Sequence, residues 1–160
     1  MKTKLNQLDK NLRIFIASYL IVLGIGVTTG LIYIYLTTSM TPSGTVEQYI
    51  GNDDDWEPKL AKEFIDLISQ AHTHIITFSF IFLSMGLIFI KNSIIKGTLK
   101  LFLIIEPFFS IIITFGGFFI LRYVTSGFVY VIIISSTLMY LCFYIMMFIS
   151  LYDLLIKNES

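Results

Sequence analysis

The chain has 160 residues, 56% of them hydrophobic and 14% charged, with 11 basic side chains balanced by 11 acidic ones and a mean hydropathy of +0.82. That balance excludes an ordinary soluble domain, and a zero net charge argues against a nucleic-acid-binding face. A single cysteine excludes an intrachain disulfide and a Cys-based zinc site.

Four apolar runs, residues 14–36, 71–90, 101–121 and 128–151, match the length of about 20 residues that a helix needs to cross a hydrocarbon core of about 30 Å. The expected fold class is all-α: a four-helix transmembrane bundle forming one integral membrane domain over residues 1–160, with an outer loop at 37–70. Little chain remains for a soluble catalytic domain, so function is expected in the bundle or in that loop.

Lys2, Lys4, Lys10 and Arg13 precede span one. Its apolar run exceeds the about 7 to 15 residues of a signal peptide and no small-x-small cleavage site follows, so it is read as a retained anchor. Gly24, Gly26 and Gly30 include a Gly26-xxx-Gly30 pair. Such glycines serve close helix packing or dimerisation, or else leave a slot in which a flat macrocycle or a quinone ring lies beside the histidines.

The outer loop reads in two parts. Thr41-Pro42-Ser43-Gly44 and Gly51-Asn52-Asp53-Asp54-Asp55 are expected turns, because Pro fixes φ while Gly, Asn and Asp tolerate bends. Three consecutive aspartates raise a calcium site, but their spacing is not that of an EF-hand and a solvated acidic turn is the simpler reading. From Pro58 to Gln70 an amphipathic interfacial helix is expected, with Leu60, Phe64, Leu67 and Ile68 opposite Lys59, Lys62, Glu63 and Asp66. Trp56 would anchor it among the headgroups.

Span two opens with His72 and His74, the only histidines. Imidazole ligates haem iron, zinc and copper and titrates near neutrality, so the pair is the first candidate for cofactor or metal binding. On a regular helix, residues two apart point about 200° from each other and cannot chelate one ion; in an extended segment they share a side. A haem held here needs another axial ligand, a partner's histidine, or five-coordination. The alternative is an interfacial pair bonded to loop carbonyls or to Asp66 and Glu63.

Lys91, Lys96 and Lys100 lead into span three, where Glu106-Pro107 places an ionisable group inside the hydrophobic run. Such a residue is a functional candidate by default. Ser18 or Tyr19, Ser84 and Tyr144 fall at its expected level and would hydrate it; alternatively Glu106 caps a helix resuming at Pro107, or reaches Arg13. Gly116 and Gly117 are further packing candidates, and Arg122 is the expected counter-charge for Asp66 or Glu63. Cys142 in span four reads as a small buried apolar residue. Tyr33, Tyr35, Tyr123 and Tyr130 form an outer aromatic belt. The positive flanks put both termini and the loop between spans two and three in the cytoplasm, as for a multi-pass protein of a bacterial inner membrane.

Thr41-Pro42-Ser43-Gly44-Thr45, then Tyr49-Ile50-Gly51-Asn52 with acidic residues after it, then Ala71-His72-Thr73-His74, resembles small four-span bacterial inner-membrane proteins of unestablished function with a TPxG loop and an HxH at the start of span two. The stretch from Ala71 to Ile75, followed by Gly86, is also similar to the His-x-His helix starts of haem-copper oxidase relatives. Those proteins have more spans and further histidines, so the resemblance implies cofactor binding here but not oxygen or nitric oxide reduction.

The expected role is a non-catalytic subunit of a larger membrane complex, an electron-transfer assembly in which haem b or a metal ion touches His72 and His74. A small proton- or cation-coupled transporter or channel using Glu106 is one alternative, and a structural scaffold the other. Expected partners are membrane lipid and other membrane subunits or further copies of the chain, with no nucleic acid.

Overall fold

The computed structural model describes residues 4–52 and 58–157. Five α-helices run in the order α1 (Lys10–Thr38), α2 (Pro42–Ile50), α3 (Phe64–Ile90), α4 (Gly97–Tyr123) and α5 (Val129–Leu155), with 3-10 turns at Leu5–Gln7 and Ser126–Phe128. The four long helices are 27 to 29 residues each, about 40 Å at 1.5 Å per residue. All four are long and apolar enough to cross a membrane. Each extends past its expected span because flanking polar residues continue the helical hydrogen bonding once the apolar run has begun it. Large apolar side chains such as Phe15, Val22, Leu36, Phe80, Phe109 and Ile134 stand exposed on the outer surface. Lipid is the solvent that tolerates such a surface, and a helix satisfies its own backbone there.

The helices alternate in direction, giving one end that gathers both chain termini and the α3–α4 connection, and a loop end that holds α2. Packing is uneven. Half of the most apolar window of α4 is buried against the rest of the chain, compared with 22% for α1 and for α3. α5 touches α1, α3 and α4, whereas α1 leans chiefly on α5 and α2. Phe82, Met85 and Phe89 of α3 and Met139, Phe143 and Met146 of α5 are almost wholly buried. Phe82 meets Phe143 edge-on at 6.2 Å.

At the terminal end, Leu5 is fully buried and its N–H donates to the Lys91 carbonyl at 3.1 Å, tucking the chain start under α3. Arg13 Nε donates to the Leu154 carbonyl at 2.6 Å, satisfying an orphan acceptor in the last turn of α5. Arg13 is therefore engaged with α5 and does not serve as the expected partner of Glu106.

The loop end corrects two expectations. Thr41-Pro42-Ser43-Gly44 is a helix start, not a turn: the Thr41 hydroxyl accepts from Gly44 N at 3.0 Å and Pro42 occupies the first helical turn. Gly44 is required there, because a Cβ would lie 2.1 Å from the Thr38 carbonyl oxygen. Conversely, Pro58 does not begin a helix; residues 58–63 are non-helical and α3 starts at Phe64. Their backbone donors are spent elsewhere. Lys62 N donates to the Tyr49 carbonyl at 3.1 Å and Lys59 N to Asn52 Oδ1 at 2.8 Å, lacing this segment to the end of α2. The expected stripe dissolves accordingly, with Leu60 92% exposed and Leu67 1%. The amphipathic helix of the loop is thus α2, and α3 is one continuous helix. Trp56 and the aspartates at 53–55 lie outside the described residues.

Tyr49 fastens α2 to the bundle. Its ring stacks on Phe118 of α4 at 4.1 Å and its hydroxyl accepts from Gln70 Nε2 at 2.7 Å. Burial pushes the phenol above its usual titration range. Among the described residues the one ion pair joins Lys59 to Glu47 at 3.5 Å, both partly exposed, which contributes about 0 to 1 kcal/mol. Arg122 instead donates to the Lys62 carbonyl at 3.3 Å and covers the Tyr123 ring, so it is not the counter-charge of Asp66 or Glu63.

Candidate functional site

His72 and His74 lie eight and ten residues into a regular helix that begins at Phe64, about 12 and 15 Å along its axis. They occupy the interior of α3, well past its first turns, and they diverge. His72 is exposed, while His74 is half-buried with its ring 4.9 Å from that of Phe115 and 6.2 Å from that of Phe78. His74 Nδ1 meets the Gln70 carbonyl oxygen at 2.8 Å. A carbonyl only accepts, so Nδ1 carries the proton and the neutral ring keeps its lone pair on Nε2. Hydrogen bonding to one ring nitrogen is what orients an imidazole ligand through the other.

His74 lines an open cleft of about 480 Å³ between α1 and α3. Tyr19 and Ser84 close its terminal end with a 2.6 Å hydroxyl–hydroxyl bond between the two helices. From that rung the cleft runs toward the loop end between Gly26 and Gly30 on one side and His74 and Thr77 on the other, with Tyr140 of α5 behind. A Cβ built on Gly26 or Gly30 meets no heavy atom within 4 Å among the described residues. Within the chain these two glycines therefore widen a slot and bring no backbones together. Gly116 likewise faces open space.

Close packing falls on other glycines. A Cβ at Gly117 would lie 2.8 Å from Phe128 and 3.0 Å from Ile132, at the α4–α5 contact. One at Gly24 would meet Met147 Sδ at 2.6 Å. Of the five glycines expected to pack, Gly24 and Gly117 have that role among the described residues, and Gly26, Gly30 and Gly116 do not.

Glu106 is inside α4, immediately before Pro107, and 9% exposed. It caps nothing, since the helix has run for nine residues before reaching it. Pro107 lacks an N–H, which frees the Leu103 carbonyl from its helical bond. Glu106 Oε1 accepts a hydrogen bond from Ser110 Oγ, and the Cys142 thiol lies beside the carboxyl. Ser135 Oγ of α5 donates to the Ser110 carbonyl at 3.1 Å, and Thr114 Oγ1 donates to Ser135 Oγ at 3.2 Å. Ser110, Thr114 and Ser135 are all buried. Among the described residues Glu106 Oε2 has no hydrogen-bond partner.

The hydroxyls expected around Glu106 pair elsewhere: Tyr19 with Ser84, and Tyr144 with Thr28 at 2.8 Å. Its actual neighbours were signalled by spacing. Glu106, Ser110 and Thr114 recur every four residues and so share one face of α4.

Asp153 was not singled out by the sequence, standing two residues past the expected end of span four. It is fully buried. Its carboxylate accepts from Ser93 N at 2.7 Å and Ser93 Oγ at 2.6 Å. Lys157 Nζ donates to Ser93 Oγ at 2.9 Å, and Lys100 Nζ to the Asn92 carbonyl at 2.7 Å. The two ammonium groups offset a carboxylate placed at the negative end of the α5 dipole. The arrangement clasps the α3–α4 connection to α5.

Among the described residues no group of three or more His, Cys, Asp or Glu side chains is placed to hold a metal ion. His74 offers one ring nitrogen, Nε2, from α3.

No curated protein and no solved structure matches the chain. A family model does, over residues 39–160, which takes in α2 to α5 and so both His74 and the Glu106 cluster. Four long apolar helices and this match together make the chain a multi-pass membrane protein belonging to the Aq_1264_TM family, a transmembrane helical domain.

Proposed function

We propose that the protein is a non-catalytic integral subunit of a bacterial inner-membrane assembly, and that its α1–α3 cleft takes a lipid-soluble conjugated ring, haem b or a quinone. The observation that carries this reading is His74: its Nδ1 is engaged by the Gln70 carbonyl, which leaves Nε2 as a free acceptor in a cleft widened by Gly26 and Gly30. A flat apolar ring fits such a slot, and one imidazole nitrogen supplies either an axial ligand or an acceptor for a quinol hydroxyl. The remaining coordination of a haem would come from a partner subunit. Both termini lie in the cytoplasm in this reading, on the distribution of lysine and arginine flanking the spans. Purification in mild detergent, followed by visible spectroscopy, metal analysis and quinone extraction, tests it. A Soret band or a co-extracted quinone that His74→Ala removes and His72→Ala retains is the expected result. Absence of all three signals from the wild-type preparation sinks the cofactor reading, and a monodisperse chain that brings down no partner sinks the subunit reading.

A second reading rests on the unpartnered Oε2 of Glu106, as the coupling carboxyl of a small proton- or cation-linked transporter or channel. Glu106→Gln would then abolish ion-coupled flux in liposomes, and unchanged flux dismisses it.

A further inference from the structure

The hydroxyl donors of the polar cluster at the α4–α5 contact are all spent. Each hydroxyl has one proton, and every one is committed: Thr114 to Ser135, Ser135 to the Ser110 carbonyl, and Ser110 to Glu106 Oε1. Lone pairs remain on Ser110 Oγ and Thr114 Oγ1, and Glu106 Oε2 is buried with no partner among the described residues. A buried polar atom left unpaired loses its hydration without a replacement, which disfavours leaving it so. Here oxygen lone pairs around one carboxyl are in surplus, and the Cys142 thiol beside it is a weak donor.

We propose that Glu106, Ser110, Thr114 and Ser135 form an intramembrane binding site for an alkali cation of sodium's class. Hard cations are bound by carboxylate, hydroxyl and carbonyl oxygens, and this cluster offers all three kinds. One carboxylate neutralises one positive charge, so a monovalent ion leaves the buried site neutral. A divalent ion would leave an uncompensated charge inside the buried α4–α5 contact, where burial of net charge is strongly disfavoured. The spacing of four along α4 stacks the three α4 ligands on one face, and Ser135 completes the set from α5. The site takes up the Glu106 of the transport reading but does not require transport. Binding is read in detergent and flux in vesicles, so either can fail alone.

The test is equilibrium binding of radiosodium to the purified full chain against a choline background. Saturable binding is expected, with affinity about tenfold weaker in Glu106→Gln, equivalent to about 1.4 kcal/mol, and also reduced in Ser110→Ala and Ser135→Ala. On the wild-type chain, sodium but not choline should slow modification of Glu106 by the apolar reagent dicyclohexylcarbodiimide. That arm decides the matter if the glutamine variant fails to fold. No saturable binding, equal binding in a folded Glu106→Gln, or carbodiimide labelling that follows pH and ignores sodium would each overturn the proposal, the last by showing a site for protons only.

Discussion

The α4–α5 contact and the α1–α3 opening are built from the same materials, apolar helices with glycines and hydroxyls, and they come out opposite. At the first, Gly117 receives Phe128 and Ile132 while Ser110, Thr114 and Ser135 bond across the interface. At the second, Gly26 and Gly30 receive nothing, and beyond the Tyr19–Ser84 rung the helices part to leave His74 facing a cleft. In lipid there is no hydrophobic drive to bring helices together, so shape and polar pairing decide where they meet. A glycine is a contact only where a bulky partner is positioned to fill it. Elsewhere it is room.

The largest expected effect tests the closed side at its terminal margin. Asp153→Ala should cost about 3 kcal/mol, because it strands both Ser93 donors and leaves the partly exposed Lys100 and Lys157 without the nearby buried carboxylate. Detergent unfolding followed by circular dichroism measures it, and a loss below about 1 kcal/mol would show that the clasp is dispensable. Next, Gly117→Leu should cost about 2 kcal/mol by overpacking against Phe128 and Ile132. The same substitution at Gly30 should leave stability nearly unchanged while blocking the cleft. Equal penalties at the two glycines would erase the distinction between the two regions.

A smaller effect concerns α2. Tyr49→Phe should cost about 1 kcal/mol through the lost bond from Gln70. Because burial raises the folded-state pKa of Tyr49, the unfolded chain releases that proton first as pH rises. The stabilisation is therefore complete below about pH 10 and declines above it. Wild-type stability should fall more steeply than that of Tyr49→Phe in alkaline titrations; parallel curves would mean that the phenol is not buried in solution. The smallest effect is expected for Gly26→Ala, within about 0.5 kcal/mol and of favourable sign, since the helix gains propensity and meets no obstacle.

How much was legible from sequence varied with the range of the interaction. The four spans were readable because hydropathy over about 20 residues is a local property that lipid enforces on every helix independently. The segment 58–63 was misread because its apolar spacing was sound but its N–H groups had better partners on α2, a contact between residues distant in sequence. Pro and Gly in the TPSG string suggest a turn, although Thr41 as an N-cap and Pro42 behind it form an equally local helix-start signal. Spacing alone leaves His72 and His74 apart on a helix or together in an extended segment, and the regular α3 realises the first. What set them apart was the Gln70 carbonyl and the neighbouring α1, neither apparent from the HxH string.

The sequence by itself determined that this chain crosses a membrane as four helices and carries an ionisable group within the third. Those follow from composition and from periodicity within single helices. Only the tertiary structure decided which glycines pack and which make space, that His74 and not His72 lines the cleft, and that Ser135 of α5 joins the Glu106, Ser110 and Thr114 face while Asp153 closes the terminal end. Helix insertion is governed segment by segment, but partners across helices depend on rotation and approach, which hydropathy leaves free.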